Sequence, residues 1–215
     1  MTAIRKLFGL LLILASLAVA GWGVSLCAQA LEAEPYIEDG EDGPSATLEH
    51  FLACLERKDW DGAYGDLYNY ASLGLETPPE DELSRMYYDA QMDAWQFSTV
   101  GGSEMNGMRM DYRVTVRCLD LDAIAADVGK RVQSLLEEKV NTARLRSEVY
   151  NDDGTYKEEL AYDALYQATR EMLSDTAPYA YTQECSLSLH FADGRWLVEV
   201  NPAFISALTS GAVRG

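Results

Sequence analysis

The sequence predicts an α+β fold: N-terminal helices packed on a curved antiparallel sheet, with a helical hairpin inserted between strands. Three observations carry this. Apolar residues recur at three and four from Leu48 to Ala94, then alternate from Met108 to Leu119 and again from Ala180 to Val200. The stretch Asp120–Ala177, between the two alternating regions, returns to the helical period. Two hairpin dipeptides, Asn106-Gly107 and Asp193-Gly194, punctuate the strands.

Ahead of the domain stands a segment of a different kind. Arg5 and Lys6 precede an almost wholly apolar run, Leu7–Ala20, and Ala28-Gln29-Ala30 closes the segment. A basic start, an apolar stretch and an A-x-A site read as an export signal over residues 1–30. The run extends to Ala28, and roughly 20 residues also suffice to span a bilayer. Cleaved signal and uncleaved anchor over residues 7–28 agree on an extracytoplasmic location for residues 31–215, because the positive charges stay inside. Gly21-Trp22-Gly23 interrupts the run and favours cleavage. A third option, a lipid-modified Cys27, lacks the small residue such signals place before the cysteine, since Leu26 stands there.

Residues 31–44 form an acidic linker with six carboxylates and two prolines, too polar to order itself by burial. The spacing of its acids lacks the D-x-D-x-D-G pattern that wraps oxygens around calcium. The domain is expected over 45–215. Ser45 is expected to cap a first helix that buries Leu48, Phe51, Leu52 and Leu55. Asp59 is expected to cap a second, carrying Trp60, Ala63, Tyr64, Leu67 and Tyr68. Thr77, with Pro78 and Pro79 in the first turn, is expected to open a third whose apolar side is Leu83, Met86, Tyr87, Ala90 and Ala94.

A strand is expected over Trp95–Val100, ended by Gly101-Gly102. The next, Met108–Leu119, turns Met110, Tyr112, Val114, Val116 and Cys118 to one face and Asp111, Arg113, Thr115 and Arg117 to the other. The insertion 120–177 carries two stripes, Ile124, Val128, Val132, Leu135, Ala143 and Leu160, Ala164, Leu165, Ala168, Met172, around a turn at Asn151–Gly154. Its far side mixes charges, and it is expected to stand as an appendage that carries a partner-binding surface. Ala180–Phe191 then places Cys185, Leu187, Leu189 and Phe191 inward. Arg195–Val200 is its hairpin partner, and Asn201 caps a last helical turn or two.

Composition narrows the function. The 215 residues carry a formal net charge of -18, and beyond Ala30 there are 15 basic against 35 acidic residues. Such a surface repels phosphate backbones, which excludes nucleic-acid binding, and it leaves the N-terminal segment as the membrane contact. Three cysteines remain beyond Cys27, without a C-x-x-C, and the two histidines are His50 and His190. The sequence therefore places no metal site, no cofactor site and no catalytic residue. Cys118 and Cys185 fall in phase with buried neighbours and read as buried thiols, or as a disulfide if their strands lie adjacent and in register.

Three helices, then strands, a late hairpin and a terminal helix form a recognisable order. With Trp60-Asp61-Gly62-Ala63-Tyr64 after the first helix, and Phe191-Ala192-Asp193-Gly194-Arg195-Trp196-Leu197-Val198 before Asn201-Pro202, it resembles the cone-shaped family named after nuclear transport factor 2, in its exported bacterial members of unknown function. The resemblance covers residues 45–119 and 178–210, and the insertion departs from the family plan. It implies a curved sheet with the Trp of D-G-x-W wedged into the core, and an enclosed pocket that ketosteroid-isomerase-like members use with an Asp base and Tyr donors. Tyr64, Tyr68 and Tyr112 are candidates to face such a pocket. Asp111 alternates to the other face, and His190 reads as a lone surface histidine. The expected function is a non-enzymatic envelope domain that binds a protein partner or a small ligand. The alternatives are an isomerase- or hydrolase-type enzyme using the pocket and a purely structural envelope component.

Overall fold

The computed structural model describes residues 43–70, 72–106 (backbone alone for 102–106) and 108–209. Residues 1–42, with the expected leader and most of the expected linker, and residues 71, 107 and 210–215 lie outside them. Among the described residues no helix is long and apolar enough to cross a membrane.

Helix α1 runs Pro44–Arg57 and buries Leu48, Phe51, Leu52, Cys54 and Leu55. Its N-cap is Gly43, not Ser45: Pro44 sets a helical φ one position earlier and takes N1, where its missing N–H costs nothing. Ser45 Oγ instead meets Tyr112 Oη at 3.0 Å. Lys58 ends α1 in the left-handed region at φ 60°. Asp59 caps α2, Trp60–Gly65, as expected, its Oδ1 accepting from Gly62 N, but the helix does not reach Leu67 and Tyr68; Leu67 instead bridges to Val198.

Helix α3 spans Glu82–Ala94, and its cap is Asp81, which accepts from Ser84 N at 2.8 Å. Thr77 does not start it. Each proline pushes the residue before it toward extended backbone, so Thr77 and Pro78 cannot enter a helix together. The first free position with a short carboxylate is Asp81. Leu83, Met86, Tyr87 and Ala90 are half-buried, whereas the deepest residues of α3 are Gln91, Met92 and Ala94.

The sheet is an antiparallel meander, β1 Gln96–Asn106, β2 Arg109–Leu119, β3 Ala180–Ala192 and β4 Arg195–Glu199, in that spatial order. β1 does not stop at Gly101-Gly102. It continues with register shifts between Thr99 and Gly101 and between Gly102 and Met105, Gly101 taking φ 140°. The glycines mark bulges rather than an end. Asn106 pairs with Arg109, so the chain reverses one residue later than Asn106-Gly107 signals, and Asn106 is the last residue of β1. Asp193 and Gly194 both adopt positive φ, 53° and 80°, as a two-residue turn matched to strand twist requires.

Alternation holds on both long strands. Tyr112, Val114, Val116 and Cys118, then Cys185, Leu187 and Leu189, are buried on one face, with Trp196, Val198 and Val200.

The insertion between β2 and β3 is a helical hairpin: α4 Leu121–Thr142, capped by Asp120, and α5 Glu158–Leu173. A last helix, α6 Pro202–Thr209, is capped by Asn201, whose Oδ1 accepts from Phe204 N at 2.9 Å. Phe204 of α6 closes the main core together with Phe51 of α1 and Phe97 of β1, its ring centroid 6.2 Å from the first and 6.1 Å from the second.

The hairpin packs on the rest of the domain through α3 and β2. Ile124, Val128, Leu135, Leu136, Ala164 and Ala168 form one buried cluster with Ala94 of α3 and Leu119 of β2. Its apolar stripes are thus covered by the opposite arm and by α3. Two residues leave the expected stripes: Leu165 is 37% exposed, and Ala143 is the C-cap of α4. Arg131 crosses to Glu171 at 2.6 Å, so part of its charged far side pairs the two arms.

Cys118 lies opposite Tyr181 and Cys185 opposite Val114. That offset of four residues is about 13 Å along the strands at the usual rise, beyond the reach of a disulfide. Both are free buried thiols. Burial pushes each above the usual thiol range.

Candidate functional site

The interior does not gather the three tyrosines. Tyr112 is buried against the core and tied to Ser45. Tyr64 bonds Glu76 through its hydroxyl, 2.6 Å away. Tyr68 is 48% exposed and lies beyond the sheet's other face. The space between α1, α6 and the sheet is filled by Leu48, Phe51, Leu55, Leu187, Leu189, Trp196, Phe204 and Leu208, all fully buried or nearly so.

Polar side chains gather in two other places. The first is built by α1 and the ends of α2. His50, Cys54 and Arg57 share one face of α1 by helical spacing, and Asp59 and Asp66 bracket α2. His50 Nδ1 lies 2.6 Å from Asp66 Oδ2, and its Nε2 lies 3.6 Å from Cys54 Sγ. Arg57 Nη2 and Asp59 Oδ2 approach the same sulfur at 3.5 and 3.8 Å.

A thiol, a histidine and an orienting carboxylate are the parts of an activated nucleophile. Two facts deny Cys54 that role. It is fully buried, and burial followed by the Asp59 carboxylate raises its pKa, with Arg57 only partly opposing them. Burial and a pKa pushed upward both work against a thiolate nucleophile. Gly62 completes the seal, since a Cβ there would stand 2.8 Å from both Cys54 Sγ and Asp59 Oδ2. The glycine of Trp60-Asp61-Gly62-Ala63-Tyr64 is therefore a close-packing residue. A groove of about 510 Å³ lies beside His50 and Asp66, reaching Thr47, Arg195 and Trp196.

If Cys54 is sealed, a bulky thiol reagent should modify Cys54, Cys118 and Cys185 far more slowly in the native protein than in denaturant. Peptide-level mass mapping reads all three. Rapid native labelling of Cys54 would restore a catalytic reading, and rapid labelling of the other two would mean that the strand phase is wrong.

The second place is the outer face of the sheet. Register sets Arg109 opposite His190 and Asp111 opposite Ser188, with Glu199 opposite Ser188 on β4. Ser188 Oγ donates to Asp111 Oδ1, and Arg109 donates to both Asp111, at 3.1 Å, and Ser188, at 2.8 Å. The Ser188 hydroxyl, then Arg109, hold the Asp111 carboxyl below the usual carboxylate range. His190 Nε2 donates to Glu199 at 2.7 Å, and its ring stacks under Tyr68 at 4.5 Å. His190 is thus not a lone histidine. The Ser188 proton is committed to Asp111 rather than to His190, so the pair does not form a nucleophile and base. Chemically this face can hold charge and hydrogen bonds, but it offers no activated group.

Among the described residues no cluster of three or more His, Cys, Asp or Glu could hold a metal ion. No family model, no curated protein and no solved structure matches the chain.

Proposed function

We propose that this chain is an exported, non-enzymatic domain of the cell envelope that binds a protein partner or a small ligand, and that it belongs with the cone-shaped proteins named after nuclear transport factor 2. The observation that supports the non-enzymatic part of this reading is the filled interior: the space where an enzyme of that family keeps its substrate holds Phe51, Phe204 and Trp196 instead. The family reading is supported by the order of helices and strands and by Trp196, 2% exposed in the core behind its Asp193-Gly194 turn. The four-strand meander and the hairpin between β2 and β3 are where the chain departs from it. The competing reading, an isomerase or hydrolase, needs a titratable group in an apolar pocket; Asp111, His190 and Glu199 sit on the opposite face, already paired.

Export rests on Arg5, Lys6 and the Leu7–Ala20 run. A reporter that is active only outside the cytoplasm, fused after Gly215, should be active. A fusion active only in the cytoplasm reverses the assignment.

A further inference from the structure

The two edges of the sheet are treated differently. The β4 edge is closed by the segment after α2: Tyr68 N donates to Val198 O at 2.9 Å, Val198 N to Asp66 O at 2.7 Å, and the Asn69 side chain bonds both backbone groups of Val200. The β1 edge has no such cover among the described residues. One group there is satisfied by a side chain, Phe97 N donating to Glu56 Oε1 at 2.8 Å. Since Phe97 N–H points away from β2, antiparallel alternation turns the N–H and C=O of Thr99 outward as well.

A groove of about 320 Å³ runs along this edge, between α1 and β1, lined by Glu49, Leu52, Ala53, Glu56, Phe97 and Thr99 among others. Glu49, Ala53 and Glu56 project from one side of α1 at helical spacing, and both glutamates are exposed.

We propose that the β1 edge is a strand-addition site for an extended, basic peptide segment of a partner protein. This rests on the binding reading above and names the class of partner. Backbone pairing along Thr99 supplies the affinity, the Glu56 carboxylate holding the place of a partner carbonyl at Phe97, and apolar side chains reach Leu52 and Phe97. Charge selects the occupant. The chain's own linker carries six carboxylates and is repelled by Glu49 and Glu56. A second copy paired edge to edge sets the same glutamates against each other. A lysine- or arginine-bearing strand neutralises them.

The test uses the full chain in detergent and two fluorescent decapeptides, one alternating lysine with valine and one alternating glutamate with valine. Anisotropy should show the basic peptide binding and the acidic one not. Thr99→Pro removes an outward N–H that the β1–β2 ladder does not use, so the fold is kept while binding falls at least about tenfold. Glu49→Lys, on an exposed helix face, should weaken the basic peptide and strengthen the acidic one. Equal binding of both peptides, no binding, or binding indifferent to Thr99→Pro in a folded variant overturns the proposal. Self-association abolished by Thr99→Pro overturns it too, since the occupant is then a second copy. Each of these failures is distinguishable from failure of the binding reading, which is read independently by capture of a partner from native membranes with the intact domain.

Discussion

Phe204→Ala should lower the free energy of unfolding by about 3–5 kcal/mol, the usual cost of emptying a phenylalanine site in a core. Phe204 is fully buried and is shared by three elements, meeting Phe51 of α1 and Phe97 of β1 ring to ring. Neither neighbour can collapse into the space, because one is held by a helix and the other by a strand. Denaturant unfolding followed by far-ultraviolet circular dichroism reads the change as a shifted midpoint at constant slope. Val100→Ala is the control: Val100 is 44% exposed, and the expected change is within about 0.5 kcal/mol. A loss below about 1 kcal/mol for Phe204→Ala would mean that α6 undocks on its own and is not part of the cooperative unit.

The parts of this fold that sequence exposes are those decided by neighbours in the chain. Strand phase on β2 and β3 follows from period two, and the β3–β4 turn follows from Asp193-Gly194, a dipeptide that tolerates positive φ; Asn106-Gly107 locates the first hairpin only to within a residue. Caps are legible where a carboxylate or amide stands alone, as at Asp59 and Asn201. They mislead where proline intervenes, at Ser45 behind Pro44 and at Thr77 before Pro78 and Pro79. The Gly101-Gly102 pair also misleads, since glycine signals a bulge as readily as a strand end.

The polar clusters are not legible, for a different physical reason. The β2–β3 pairing is set by no turn, because the helical insertion 120–177 separates the strands, so nothing local sets Arg109 opposite His190 or Asp111 opposite Ser188. The i, i+2 spacing of each polar pair is visible in the chain; the partner strand's register is not. His50, Cys54 and Arg57 are visible as one helix face, but Asp66 joins them only once α2 has turned the chain back. Acidity and the apolar run Leu7–Ala20 need no register at all, so they can be read where the chemistry of the surface cannot.

Gln91 is the residue whose loss should reveal most, and no periodic pattern marks it. It is 5% exposed on α3, where an apolar residue is the default. Its amide joins three elements: Oε1 accepts from Leu119 N at the end of β2, and Nε2 donates to Leu208 O in the last turn of α6, each at 3.1 Å. The Leu208 carbonyl is one of the groups that a helix end leaves without an internal partner. Gln91→Leu keeps the bulk and strips both bonds, leaving a buried donor and a buried acceptor unpaired at about 1–3 kcal/mol each. The expected loss is about 2–6 kcal/mol in denaturant unfolding. Gln91→Glu separates the two bonds. Its carboxylate still accepts from Leu119 N but has no proton for Leu208 O, and burial penalises its charge. The protonated carboxyl restores the donor. Its folded-state pKa is therefore raised, so the loss should set in as pH rises past the ordinary carboxylate range and shrink as pH falls below it. Stability curves for Gln91→Glu that run parallel to those of the native protein from about pH 4 to 8, or a Gln91→Leu midpoint equal to the native one, would show that the amide is a passenger in the core and that α3, β2 and α6 are joined by apolar packing alone.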